Sequence, residues 1–144
     1  MPVQAATRGG TLTFAREADS LYLDPVHTAQ NADIWLSLNL YDTLLHPSDD
    51  GKSVVPGLAQ AYTVAPDGKT LTLTLRPGLK FADGSPLSVS DVKWSLDRAS
   101  AKATGGEFQF LLSAIASVET QGDATVILHL SHPDPALPQG AGDL

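Results

Sequence analysis

The chain has 144 residues, of which 42% are hydrophobic and 17% are charged, and its formal net charge is -7 at pH 7. This length and composition predict one globular domain with a hydrophobic core, and they exclude a disordered chain. The acidic excess argues against nucleic acid or an anionic membrane as a partner. There is no cysteine and no run of about 18 apolar residues. A disulfide scaffold, a cysteine-ligated metal and a membrane-spanning helix are therefore excluded.

The first thirty residues carry few signals of regular structure. Residues 1–8 are expected to be the remnant of a secretory leader or a flexible terminus, since their small residues are typical of the end of a signal segment. Residues 11–15 follow a Gly-Gly break and alternate polar with apolar side chains, which predicts a short strand. Residues 16–30 are predicted to form a loop.

A helix is predicted from residue 31 onward. Ile34, Trp35 and Leu38 recur at helical spacing, and either Asn31 or Asp33 is available as the N-cap. An aromatic residue within such a pattern usually belongs to the core. We therefore expect Trp35 to be buried.

The middle of the chain predicts a β-hairpin. Residues 61–65 and 69–76 flank Pro66-Asp67-Gly68, a tripeptide typical of a turn. Leucines and threonines alternate along the second strand, so that one face is apolar and the other polar. The leucines expected to face the core are Leu71, Leu73 and Leu75.

A second helix is predicted to begin at Ser88. Ser88 and Asp91 match a capping box, in which each side chain satisfies a free N–H group of the first turn. Trp94 falls within the helical pattern and, like Trp35, is expected in the core. Four apolar residues at helical spacing form the predicted inward stripe. They are Val89, Val92, Leu96 and Ala99.

The last third predicts a second hairpin and an irregular tail. After a Gly105-Gly106 break, residues 107–112 are expected to be a short helical piece, and residues 114–120 and 124–130 to pair as strands. Proline and glycine crowd residues 133–144, which indicates a linker-like tail without a long helix or a central strand. We therefore assign residues 9–132 to one domain.

Three side chains near this end suggest a metal site. His129 and His132 lie three residues apart, close to Asp134. On a strand, however, side chains three apart point to opposite faces and do not converge on one ion. A histidine-dependent metal hydrolase is thus an unfavoured alternative.

Other chemistry-bearing residues have simpler interpretations. Glu17, Asp19 and Asp24 form an acidic loop, and although paired carboxylates can do acid–base work, a solvated loop is the usual explanation. Phe108 and Phe110 follow a glycine break, where an aromatic side chain either faces a ligand or packs in the core. No serine stands in a Gly-x-Ser-x-Gly motif and no phosphate-binding loop is present.

Seven fragments, in this order and at this spacing across residues 9–135, resemble a single family. The family is extracellular solute-binding protein family 5, the peptide, dipeptide and nickel receptors of ABC importers. The fragments are GGTLT at 9–13, SLYLDP at 20–25, NLYDTL at 39–44, VPGLA at 55–59, PDGKT at 66–70, LRPGLKFADG at 75–84 and DVKWS at 91–95.

The resemblance implies a mixed α+β fold, the partial first lobe of a periplasmic binding protein type 2 fold, with β-hairpins packed on short helices. Members of the family are several times longer and bind their ligand in a cleft between two lobes. The chain would then be an N-terminal fragment of the first lobe, lacking the second lobe and the segments that complete the first. After residue 137 the family continues into a helix, and here the sequence departs from that pattern.

The resemblance also implies where a ligand is held. In the family, the loop after the first strand lines the cleft, which here places Arg16, Glu17 and Asp19 at the ligand. The segment after Asp24-Pro25 also lines the cleft in the family, and here it contains His27 and Thr28. An aromatic residue after the long helix often touches the ligand, and Phe108 is the residue that matches it.

For a peptide ligand, Asp19 or Glu17 is expected to pair with the α-ammonium group and Arg16 with a carboxylate. No cofactor, metal or catalytic activity is expected. The expected partners are a small peptide or similar solute and the membrane subunits of an ABC transporter, in a periplasmic or extracellular location. A stand-alone interaction domain that reuses this fold is the first alternative. Surfaces left open by the missing segments would then favour a homo-oligomer.

Overall fold

Six strands form two antiparallel sheets in the described part of the chain. The computed structural model describes residues 9–11, 13–28, 30–107 and 109–140. Strands β1 (Leu45–Pro47) and β2 (Val54–Pro56) pair as a small ribbon. The larger sheet has the order β3-β4-β6-β5. Its strands are β3 (Ala59–Val64), β4 (Thr70–Leu75), β5 (Ile115–Gln121) and β6 (Thr125–Leu130).

The larger sheet joins the two predicted hairpins side by side. Both hairpins are confirmed, and the second strand of each meets the other at the sheet centre, where Leu73 lies opposite Val126 and Leu71 opposite Leu128. The turn before β4 needs Gly68, whose φ of 69° lies in the left-handed region that glycine adopts without strain. Alternation along β4 and β6 therefore places one continuous leucine and valine face against the core.

Helix α2 (Val89–Ser100) covers this apolar face and is capped as predicted. The carboxylate of Asp91 accepts hydrogen bonds from the Ser88 backbone N–H at 2.8 Å and from the Ser88 hydroxyl at 2.6 Å. The whole predicted stripe is buried. Its residues are Val89, Val92, Leu96 and Ala99.

Helix α1 (Asn31–Leu40) forms where predicted but buries a different side. Its N-cap is Gln30, so the expectation that Asn31 or Asp33 caps it is wrong. The carboxylate of Asp33 points inward and is fully buried, while Trp35 is 55% exposed. The prediction of a core position for Trp35 is therefore wrong. The inward side of α1 carries the Asp33 carboxylate, which accepts hydrogen bonds from N–H and O–H groups of the loop.

Two further expectations differ from the structure. Residues 11 and 13–15 form no strand, because none of the strands described takes up their backbone hydrogen bonds. Trp94 is 65% exposed rather than buried, since it lies on the outer side of α2. By contrast Leu137, in the short helix α3 (Leu137–Gly140), is buried with the core. At least this part of segment 133–144 packs against the fold.

Short 3-10 turns complete the described chain. They span Pro25–His27, Lys102–Thr104 and Gln109–Leu112, and the last of them lies within the predicted helical piece 107–112. Among the helices described, none is long and apolar enough to cross a membrane.

Candidate functional site

Residues 16–28 form a loop that runs past the first turn of α1, and Arg16 fixes its beginning. The Arg16 guanidinium donates to the Ala32 carbonyl oxygen at 2.8 Å, to the Ser20 hydroxyl at 3.0 Å and to Asp19 Oδ1 at 3.0 Å. The Arg16 side chain is 23% exposed, whereas that of Asp19 is 97% exposed. Arg16 is therefore largely engaged within the chain, and the Asp19 carboxylate is the group presented to solvent.

Asp33 holds the middle and the end of the same loop. Its Oδ1 accepts from the Leu21 N–H at 2.8 Å and its Oδ2 from the Thr28 hydroxyl at 2.5 Å. These hydrogen bonds to the ionised form lower the pKa of Asp33, with the Thr28 hydroxyl as the largest cause. Thr28 is only 3% exposed. In this conformation the Thr28 hydroxyl is hydrogen-bonded to Asp33, so it is not available to a ligand.

A second anchor ties the loop to α2. Both terminal nitrogens of Arg98 donate to the carboxylate of Asp24, one of them at 3.0 Å, and Asp24 Oδ1 also accepts from the Val26 N–H at 3.2 Å. The Arg98 guanidinium lies 5.8 Å from the centre of the Trp94 ring. Hydrogen bonding to Arg98 is the main reason why the pKa of Asp24 is lowered.

The backbone completes this anchor at Gly106. The Glu107 N–H donates to the Val26 carbonyl oxygen at 3.1 Å. A Cβ atom at Gly106 would lie 2.7 Å from Val26 Cγ1 and 3.0 Å from the Val26 oxygen. Such distances are too short for ordinary van der Waals contact. Glycine at this position therefore permits the close approach of the two segments.

The predicted site residues do not all come together. Arg16 and Asp19 are in contact, and Glu17 is exposed beside them in sequence. His27 lies near the other anchor, with its Nε2 3.9 Å from Asp24 Oδ2. Phe108 lies outside the described residues.

An apolar cavity of about 990 Å³ opens beside this anchor, and Asp24 and Arg98 belong to its lining. It lies between the loop, the end of α1 and α2. The predicted ligand residues Arg16, Glu17, Asp19, His27 and Thr28 are absent from its lining. Its walls include Leu23, Leu40, Tyr41, Phe81, Trp94 and Leu111.

Sequence reasoning missed the two residues that anchor the loop. The sequence predicts Asp33 only as a possible helix cap and assigns no role to Arg98. Asp24 and Arg98 are 74 positions apart, and no local pattern relates residues at such a separation. The Asp24-Pro25 pair was the available signal, because aspartate before a short helical turn caps its free N–H groups.

The histidines proposed for a metal site have other contacts. His129 Nε2 lies 3.1 Å from Glu119 Oε2 on the neighbouring strand, and His132 Nδ1 lies 3.0 Å from the Ser131 hydroxyl. Within the described ranges no group of three histidine, cysteine or carboxylate side chains could hold a metal ion. The structure thus gives the metal-hydrolase alternative no support.

Comparison with known proteins decides the family. The family described as bacterial extracellular solute-binding proteins, family 5 Middle, matches residues 53–143. The chain belongs to this family. An ABC transporter peptide-binding protein of Brucella ovis is 34% identical over 103 residues, which are 72% of this chain and 19% of that protein. The glutathione-binding protein GsiB of Salmonella typhimurium is 37% identical over 111 residues, 77% of this chain and 22% of GsiB.

A solved binding protein shares the fold. The binding protein AgaA of A. tumefaciens R10, solved with agropinic acid, superposes with a TM-score of 0.79 at 34% identity, over 85% of this chain and 24% of AgaA. The expected family and the mixed α+β fold of a partial periplasmic binding protein are thereby confirmed. The chain spans about a fifth of the length of the curated relatives just named. The names of these relatives describe binding of solutes, not catalysis.

Proposed function

We propose that this chain is part of the substrate-binding component of an ABC importer for peptides or similar small solutes, and that it has no catalytic activity. The observation that carries the proposal is the family match over residues 53–143, together with relatives named for peptide and glutathione binding. The complete receptor would hold its ligand in a cleft between two lobes, of which this chain supplies part of the first.

The exposed rim of the loop supplies the ligand contacts in this proposal. Asp19 presents its carboxylate to solvent, and the Arg16 guanidinium donates a hydrogen bond to it. Such a carboxylate suits the α-ammonium group of a peptide, because charge-assisted hydrogen bonds are stronger than neutral ones. Glu17 and His27 are further exposed contacts. Phe108 is proposed as the aromatic contact.

Thr28 has a supporting part in this scheme. Its buried hydroxyl donates a hydrogen bond to Asp33, so we assign Thr28 the role of fixing the loop that carries the ligand-facing residues. The proposed partners are the membrane subunits of the transporter. The proposed location is periplasmic or extracellular, in line with a relative from Sinorhizobium fredii named as a periplasmic-binding protein.

Binding of matched peptides tests the proposal. Trialanine, N-acetyl-trialanine and glutathione are titrated calorimetrically into the protein expressed from its complete gene. If Asp19 binds the α-ammonium group, Asp19→Asn weakens trialanine binding by about ten- to a hundredfold. The already weaker N-acetylated peptide loses no further affinity. Asp49→Asn, in an exposed turn elsewhere, serves as the charge-matched control and leaves both affinities unchanged.

Two results would contradict the proposal. If none of the three probes binds the protein, the solute-receptor assignment is wrong. If trialanine binds equally well to the wild type and to Asp19→Asn, the protein is a receptor but Asp19 is not the ammonium site.

A stand-alone interaction domain is the second candidate, and one observation favours it. The outer side of α1 exposes Trp35 and Leu38 at 55% and 67%, with Phe14 packed edge-on to Trp35 at 6.5 Å between ring centres. Apolar surface of this kind marks a contact with further protein. The intact mass of the native product distinguishes the two candidates. A receptor would be several times heavier than this chain. A stand-alone interaction domain would lack this additional mass and would associate with its partner through α1.

A further inference from the structure

The pairing of Asp24 with Arg98 connects the proposed solute-binding loop to the folded core. Asp24 caps the 3-10 turn Pro25–His27, which leads directly into Thr28. Arg98 lies in the last turn of α2, whose inner side is buried against the sheet. A loop element that carries a proposed ligand residue is thus attached to one of the best-packed elements of the fold.

The geometry of the pair makes it stiffer than an ordinary surface ion pair. Two parallel N–H groups of one guanidinium meet both oxygens of one carboxylate, which fixes direction as well as distance. The side chains of Arg98 and Asp24 are only 30% and 35% exposed, so water screens them incompletely. Trp94 packs along the guanidinium, and the positive charge suits the C-terminal end of a helix.

We propose that Arg98 is a positioning residue for solute binding, which holds the segment 24–28 on α2 and thereby sets the place of His27. The inference rests on the proposed function, since it assigns Arg98 an effect on an affinity that only a solute receptor has. Without the pair, the segment would spend part of its time away from α2. The apparent dissociation constant of the solute is inversely proportional to the fraction of molecules that are competent to bind, so it rises as that fraction falls.

Four variants of the complete protein separate this role from general stability. Arg98→Met removes both hydrogen bonds but keeps a long apolar stem, and Arg98→Lys keeps the charge but loses the fork. The double exchange Asp24→Arg with Arg98→Asp restores a pair of opposite orientation. Lys93→Met, on the same helix, removes contacts to Asp97 and the Val118 carbonyl without touching the loop, and is the matched control.

Amide hydrogen exchange without ligand gives the first readout. Arg98→Met is expected to speed exchange of the Val26 and Glu107 amides at least about tenfold, because ordered contacts of these segments are lost. Exchange within α2 and β4 stays unchanged. Lys93→Met leaves the Val26 and Glu107 amides at the wild-type rate. If Arg98→Met also leaves them at that rate, the positioning role is wrong, whatever the protein binds.

Affinity gives the second readout, with trialanine and glutathione as probes. The dissociation constant is expected to rise about three- to tenfold in Arg98→Met, less in Arg98→Lys, and to return towards the wild-type value in the double exchange. Faster exchange with an unchanged affinity would overturn the positioning role and leave the proposed function intact. If the wild type binds neither of these probes, the proposed function itself fails, and with it the role assigned to Arg98.

Discussion

Substitution of Gly106 by alanine tests how tightly the loop is packed on the fold. A Cβ at this position would lie 2.7 Å from Val26 Cγ1, whereas carbon atoms in contact prefer about 3.5–4.0 Å. The two segments would therefore separate by close to an ångström, and overpacking of this kind typically costs about 1–3 kcal/mol. The lower flexibility of the unfolded alanine chain returns about 0.4–1 kcal/mol of this. We expect Gly106→Ala to lower the free energy of unfolding by about 1–2 kcal/mol.

Urea unfolding followed by circular dichroism measures this loss, and a double-variant cycle identifies its cause. Val26→Ala removes the Cγ1 atom but keeps the carbonyl oxygen, which would still lie 3.0 Å from the new Cβ. The combined variant should therefore be more stable than the sum of the single losses predicts, by about 0.5 kcal/mol or more. Undiminished stability of Gly106→Ala would refute the close packing of the loop. Simple additivity would show that the Val26 side chain is not the contact responsible.

Three further predictions concern the core, the cap and acid sensitivity. Leu73→Ala should cost about 2–5 kcal/mol in urea unfolding because Leu73 is fully buried. Thr72→Ala, on the opposite face, should cost less than about 1 kcal/mol, and equal losses would contradict the assigned core face. Ser88→Ala should cost about 1 kcal/mol through loss of the helix cap, seen as a lower thermal midpoint, and an unchanged midpoint would exclude a stabilising cap. Because the pKa of Asp24 is lower in the folded protein, the stability contributed by its ionised form is complete above the unfolded value of about 3.9. It is lost as the pH falls through the folded value. The free energy of unfolding should therefore fall less in Asp24→Asn than in the wild type between neutral and acid pH. Parallel curves of unfolding free energy against pH would contradict this role of Asp24.

The elements that sequence predicted well are those specified by local chemistry. The alternation of leucine and threonine along β4 and the Ser88–Asp91 capping box need only neighbouring residues, and both occur as predicted. The central pairing of β4 with β6 joins two hairpins that are far apart in sequence. No local signal specifies that pairing, although both strands show their core faces individually.

The loop 16–28 and α1 were predicted less well, because hydrogen bonds between them, and not apolar periodicity, decide which side of the helix is buried. The helix period of α1 was correct, but the side facing the core is set by Asp33 and its hydrogen bonds to the loop. The exposure of Trp35 could not follow from spacing alone. Of the candidate site, sequence supplied the loop and its charged residues through family resemblance, while the anchoring role of Arg98 required coordinates. The ligand role of Phe108 remains a prediction.

A crystal structure of the complete protein with bound trialanine would test the central claim most directly. The account predicts that the Asp19 carboxylate accepts a hydrogen bond from the peptide α-ammonium group at about 2.7–3.2 Å, with the Arg16–Asp19 contact retained. A peptide bound with its α-ammonium group on another carboxylate, and with residues 16–28 outside the binding site, would contradict it.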